Sequence, residues 1–255
     1  MKLATWNVNS LKIRLPQVLE WLAANSPDVL CLQETKLDDD KFPTVEIMAA
    51  GYHPAYAGQK TYNGVAILSR ALPEQVSTGI GGHDDPQKRV LAATIAEVRV
   101  ISVYVPNGES VGSEKYRYKL DWLARLTGWL KTELVNHPQL ALLGDFNIAP
   151  EERDVHDPRL WEGRVLFSAP ERAALAGLFE CGLKDSFRLS DQPDKSFTWW
   201  DYRLNAFKRN MGLRIDHILF SPELARKCQS CMIDRGMRAR ERPSDHAPVV
   251  AEITI

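Results

Sequence analysis

Leu140-Ala141-Leu142-Leu143-Gly144-Asp145-Phe146-Asn147 is the stretch that decides how this chain reads. Four apolar residues run into a glycine, a carboxylate and an amide. Such a run reads as a short buried strand ending in a polar cluster. Side chains two positions apart on a strand share a face, so Asp145 and Asn147 are expected to face one site. Together they can grip a phosphate and its attacking water. Three further clusters have the same character: Trp6-Asn7-Val8-Asn9, Leu32-Gln33-Glu34-Thr35 and Pro243-Ser244-Asp245-His246. Each borders an apolar run, which points to one active site assembled from many strand ends.

Working outward, residues 2–6 and 29–32 read as short strands around a helix that carries Val18, Leu19 and Leu22 on one face. Residues 63–68, 90–96 and 99–105 are rich in Val and Ile and read as a meander. A long helix starts at Ser113 with leucines at three- and four-residue spacing. Residues 151–166 have no clean period and read as a surface loop. Ser168-Ala169-Pro170-Glu171 reads as a capping box opening a helix that runs to Cys181. Residues 196–200, 214–220 and 249–255 read as the remaining strands. Short strands with helices outside them predict an α/β fold of two packed sheets flanked by helices. No linker divides the chain, so residues 1–255 are expected to form a single domain.

The bulk composition is that of an ordinary globular protein. Of 255 residues, 44% are hydrophobic and 25% charged. The net charge of −1 argues mildly against a nucleic-acid partner, but local patches do such binding. Four cysteines are too few for a disulfide scaffold. The Cys228-x-x-Cys231 pair lacks a second pair to complete a zinc site. With no signal peptide and no apolar run of membrane-spanning length, a cytoplasmic protein is expected.

The candidate ligands are the carboxylates Glu34, Asp145, Asp216 and Asp245, the amides Asn7, Asn9, Asn107 and Asn147, together with Tyr104 and His246. An oxygen-rich set favours a hard cation, Mg²⁺ with Mn²⁺ able to substitute, and Glu34 is the best single ligand. Asp216 and Asp245 suggest an imidazole oriented by carboxylate, biased toward the charged form that stabilises an oxyanion. Asp145 can take a proton from water while Asn147 holds a phosphate oxygen. Phosphodiester hydrolysis needs these parts. Taken singly, a strand-end Asp also serves as a turn residue, and an Asp–His pair as a structural hydrogen bond.

Seven motifs in order resemble the exonuclease III / apurinic-apyrimidinic (AP) endonuclease family over essentially the whole chain. They are residues 5–9 (TWNVN), 32–36 (LQETK), 62–66 (YNGVA), 104–107 (YVPN), 144–147 (GDFN), 212–217 (GLRIDH) and 244–246 (SDH). The resemblance implies a four-layer α/β sandwich and a DNA-repair nuclease. Glu34 would be the main metal ligand, with Asn7 and Asn9 beside it and Asp245 near a metal position. Asp145 would orient or activate water, Asn107 and Asn147 would contact phosphate, Tyr104 would serve the reacting phosphate, and Asp216 would orient His246. Trp199, Leu213 and Ile215 would line a pocket for an extrahelical abasic sugar, and Tyr62 would lean on the DNA.

The same core also resembles phosphodiesterases acting on lipid or inositol phosphates, and a DNA-binding module without activity is the non-enzyme alternative. Lys115, Arg117 and Lys119, with Arg203, Lys208, Arg209 and Arg214, favour nucleic acid. The expected partner is duplex DNA with 3′ ends or abasic lesions, bound by a monomer. One departure from the family pattern is Leu166, where AP endonucleases of the family tend to carry a small residue. Overfilling the pocket is expected to weaken incision at abasic sites relative to work at 3′ ends. A second departure is that residues 108–112 lack the arginine with which some relatives clamp DNA.

Overall fold

The computed structural model describes residues 1–255. Its strands are β1 (Lys2–Asn7), β2 (Val29–Gln33), β3 (His53–Ala57), β4 (Val65–Ser69), β5 (Glu74–Thr78), β6 (Val90–Ile95), β7 (Val98–Tyr104), β8 (Leu140–Asp145), β9 (Lys184–Asp185), β10 (Asp216–Phe220), β11 (Cys228–Ile233) and β12 (Val249–Ile253). Its α-helices are α1 (Leu11–Asn25), α2 (Thr44–Ala49), α3 (Glu114–Asn136), α4 (Pro158–Trp161), α5 (Ala169–Glu180) and α6 (Pro222–Lys227). The strands form two mixed six-stranded sheets, ordered β11-β12-β1-β2-β4-β3 and β5-β6-β7-β8-β10-β9.

The sheets pack face to face. Leu3, Val29, Cys31 and Ile67 of one sheet meet Leu91, Val100, Leu143 and Ile218 of the other in one apolar cluster. Outside the second sheet, Trp122, Leu126 and Leu130 of α3 and Leu175 and Leu178 of α5 cover Leu140 and Leu142. Outside the first, α1 lays Val18, Trp21 and Leu22 over Ala4, Trp6 and Leu30. The parallel pairs β1–β2 and β7–β8 lie at the sheet centres, buried on both faces, which is why they read as unbroken apolar runs.

The two helix starts follow their sequence signals. Ser113 accepts the Tyr116 N–H across the first turn of α3, and Glu171 turns back to accept the Ser168 N–H at the start of α5. The expected meander is corrected: β4 pairs with β2 and β3, whereas β6 and β7 belong to the other sheet. Only β6 and β7 form a tight hairpin, through Ala96 and Glu97 at φ 47 and 70. Residues 196–200 make single bridges from Trp199 to Leu213 and His246 rather than a strand. The stretch 151–166 is a loop interrupted by a 3₁₀ turn and by α4. Edge strands β3, β5 and β11 carry too little apolar alternation to be read from sequence.

Candidate active site

The polar clusters at the ends of β1, β2, β7, β8 and β10 converge at one end of the sandwich. Gly144 makes part of this possible. It sits at φ +155, and a Cβ there would collide with the Val103 carbonyl on the adjacent strand. The close approach aligns Tyr104 with Asp145 across the β7–β8 ladder.

Asp145 and Asn147 meet, but not by strand alternation. The strand ends at Asp145, and Asn147 adopts a left-handed φ of 50. Its backbone N–H then donates to Asp145 Oδ1 at 2.9 Å, a side-chain turn two residues long. The Asn147 side chain accepts from Asn107 Nδ2 at 3.1 Å, so the two amides stand together.

Asn7 ties the two sheets at this point. Its Nδ2 donates to Glu34 Oε1 at 2.9 Å and to Asp145 Oδ2 at 2.8 Å. Glu34, Asp145 and His246 each present a ligand atom, all within 4.8 Å of one another. His246 Nδ1 lies 2.8 Å from Asp216 Oδ2, and its Nε2 lies 3.8 Å from Asp145 Oδ2. Burial disfavours charge on this ring, but Asp216 and Asp145 outweigh it and push the imidazole up to about 10. Burial raises Asp145 to about 7, the flanking His246 limiting the rise. Tyr104 is pushed well above the usual phenol range by burial and by the charges of Glu34 and Asp145.

The donor set suits a hard cation: two carboxylates and neutral amides with no thiolate. The site already draws positive charge. Lys36 Nζ lies 2.8 Å from Glu34 Oε2 and 2.6 Å from Asn9 Oδ1. Lys36 and the Asn7 amide hold Glu34 below the usual carboxylate range although burial opposes this. Asp245 stands to one side. Its oxygens accept Trp199 Nε1 at 3.0 Å and Asn9 Nδ2 at 2.9 Å, which places it in a hydrogen-bonded ring around Asn9.

Leu166, Leu213 and Ile215 are buried in one apolar cluster with Trp199 packed on its edge. Trp199 therefore joins this wall to Asp245. On the other side, a cleft of about 700 Å³ is bounded by Glu34, Lys36, Tyr62, Arg89, Tyr104 and Asn107. Tyr62 is 68% exposed on its rim, and Arg89 stacks over the Tyr104 ring at 4.7 Å.

Two of the expected surface cations are buried instead. Lys119 has no exposed side-chain area and pairs with Glu171. Arg214 lies between Asp154 and Asp185 beneath the site. Charge runs do not reveal which member of a helix face turns inward, and the partners lie tens of residues away. Arg89 and Arg14 were not singled out from sequence, and Lys36 entered only as the last residue of the 32–36 motif, with no role given to it. Arg14 donates to the Asn9 carbonyl at 2.6 Å from the first turn of α1, just past the 5–9 motif.

Two mixed sheets flanked by helices, with carboxylates, amides and a charged imidazole at one end, define an α/β-sandwich phosphoesterase. The chain belongs to the Endonuclease/Exonuclease/phosphatase family, whose profile matches residues 4–246. Exodeoxyribonuclease III of Haemophilus influenzae is 37% identical, the alignment covering 99% of each chain. A 3′ phosphatase from Neisseria, solved with a product DNA hairpin, is 50% identical with a TM-score of 0.98 over 100% of both chains. An AP endonuclease from Archaeoglobus fulgidus is 41% identical with a TM-score of 0.96, again over 100% of both.

Proposed function

We propose that this chain is a divalent-metal-dependent DNA-repair nuclease, with Mg²⁺ as its ion and Mn²⁺ able to substitute. The observation that carries the reading is the convergence of Glu34, Asp145 and His246, with side-chain atoms within 4.8 Å of one another, beside a tyrosine-rimmed cleft that also carries Arg89. Glu34 would hold the ion, with Asn7 and Asn9 beside it and Asp245 near it. Asn7 also hands its N–H groups to Glu34 and Asp145, so it orients both carboxylates. A bound cation would neutralise charge on the phosphate.

The chain's own residues supply the rest. Asn107 and Asn147 hold the non-bridging phosphate oxygens. Asp145 takes a proton from water as the water oxygen bonds to phosphorus and the bond to the 3′ oxygen breaks, the departing 3′ oxygen taking a proton from solvent. The His246 imidazolium, kept charged by Asp216, stabilises the developing negative charge. Tyr104 supports the same phosphate, and Tyr62 rests against the duplex. Every member of the cluster comes from one chain, which supports action as a monomer. Residues 1–255 serve as one catalytic domain, a reading supported by the pairing of β1 with β12. No helix is long and apolar enough to cross a membrane, and we place the activity in the cytoplasm.

Leu166 sets the substrate preference toward 3′ ends. It is 6% exposed in the wall formed with Leu213 and Ile215, at φ 77, a conformation that disfavours a branched side chain. Leu166→Gly removes both the bulk and the strain. Purified wild type and variant should be assayed with Mg²⁺ on 3′-recessed, 3′-phosphate and internal-abasic duplexes. Wild type should favour the two 3′-end substrates, and the variant should gain about 10- to 100-fold on the abasic duplex. Equal wild-type rates on all three, unchanged in Leu166→Gly, would remove Leu166 from this role. Hydrolysis of inositol phosphates or lipid vesicles in preference to DNA would overturn the nuclease reading.

A further inference from the structure

Beneath the two phosphate-facing amides lies a side-chain pair that the reaction does not itself use. Lys119 on α3 and Glu171 on α5 are both fully buried. The ammonium has three N–H groups and three acceptors: the Asn107 carbonyl at 3.1 Å, the Asn147 carbonyl at 2.7 Å and Glu171 Oε1 at 2.5 Å. Glu171 Oε1 also accepts the Leu166 N–H at 3.0 Å, and Oε2 accepts the N–H and hydroxyl of Ser168. One ion pair therefore holds the backbone of three loops: Asn107, Asn147 and Leu166.

Two of those three residues have positive φ, 50 at Asn147 and 77 at Leu166. Non-glycine residues hold such conformations only where the surroundings over-determine them. The lysine stem also fills the space under the first of these loops. A Cβ on Gly108 would lie 3.1 Å from Lys119 Cδ. A buried ion pair is poor value as a stability device, because apolar residues of similar volume serve as well or better. Its hydrogen bonds here go to the main chain of the residues that meet substrate.

We infer that Lys119 and Glu171 are positioning residues that lock the Asn107 and Asn147 amides and the Leu166 wall into one rigid unit. The inference rests on the proposal that Asn107 and Asn147 contact the scissile phosphate. It makes the pair the physical link between phosphate grip and pocket selectivity, which otherwise come from separate loops.

The test compares wild type with Lys119→Met and with the double variant Lys119→Met/Glu171→Leu. The single variant strands a buried carboxylate and should melt at lower temperature. The double variant removes both charges but leaves the Asn107 and Asn147 carbonyls and the Leu166 and Ser168 N–H groups without these partners, so it should melt between the single variant and wild type. Steady-state kinetics on a 3′-recessed duplex should nevertheless show kcat in the double variant reduced about 100-fold, the scale of a misplaced contact group. KM should change less than about threefold, and calorimetric Mg²⁺ affinity should stay at the wild-type value, since Glu34 lies on the other sheet. Wild-type kcat in the well-folded double variant overturns the inference. So does a loss of kcat that simply follows loss of folded protein and is restored by cooling. Running all three proteins also on bis(p-nitrophenyl) phosphate separates the two questions. Inactivity of wild type on DNA would sink the nuclease reading, while the variant-to-wild-type ratio on the small ester still judges the pair.

Discussion

At the scale of single residues, the site depends on two groups whose protonation states are set by their surroundings. In the proposed reaction Asp145 must be ionised to take a proton, and burial raises that ionisation to about 7. His246 must be protonated to stabilise negative charge, and Asp216 and Asp145 keep it so up to about 10. Activity should rise as pH passes 7, because the base appears, and fall near 10, because the imidazolium is lost. Asp216→Asn keeps a hydrogen-bond partner for the ring but removes the charge that favours its protonation. The alkaline limb of kcat should then move down toward the ordinary imidazole value of about 6.5, and the acid limb should also fall, because Asp216 is one of the charges that raise Asp145. An alkaline limb that stays near 10 in Asp216→Asn would show that another group titrates there. The side chains of Glu34, Asp145, Asp216 and His246 were legible as candidates because carboxylates and an imidazole at strand ends are few. The opposite held for Lys119 and Arg214. Both look like surface cations in a sequence, and only their partners Glu171, Asp154 and Asp185 reveal them as buried.

Among the elements, the β7–β8 pair carries the site. Tyr104 and Asp145 are cross-strand neighbours in a parallel ladder, and Gly144 lets the two backbones close on each other. Gly144→Ala would drive a methyl group into the Val103 carbonyl. The expected cost is about 1–3 kcal/mol of stability, the range for overfilling a packed site. Activity should fall at temperatures where the variant is still folded, because Tyr104 and Asp145 separate. Urea unfolding paired with turnover at low temperature checks this, and a stable variant with normal turnover would refute it. The strong strands and both capped helices were readable because their signals are local: an apolar run, a Ser at the cap, a Glu three residues on. The edge strands were not. Their β structure is imposed by a neighbouring strand, as in β5, which is exposed along its whole length.

For the whole molecule, the site is a seam between two sheets. Glu34 directly follows β2 in one sheet, Asp145 ends β8 in the other, and Asn7 bridges them. The scaffold is held by its apolar clusters, so the fold is expected to persist without the ion. A chelator should therefore abolish activity while leaving the circular dichroism spectrum intact. Adding Mg²⁺ should raise the melting temperature, by an amount equivalent to about 2.7 kcal/mol when the ion is at 100 times its dissociation constant. Glu34→Ala should remove that rise together with the activity. A magnesium-induced rise that persists in Glu34→Ala would place the ion elsewhere.

The sequence by itself determined the α/β class, the central strands, the capped helices, the family and the set of residues able to carry phosphodiester chemistry. These follow from short-range patterns and from the small number of side chains suited to that work. Only the tertiary structure decided which sheet each strand joins, and that Asn147 meets Asp145 through a left-handed turn rather than along a strand. It alone showed Lys119 and Arg214 turning inward, and Leu166 sharing a wall with Leu213 and Ile215. Each of those depends on partners far away in the chain, whose identity is set by how the two sheets and their helices pack.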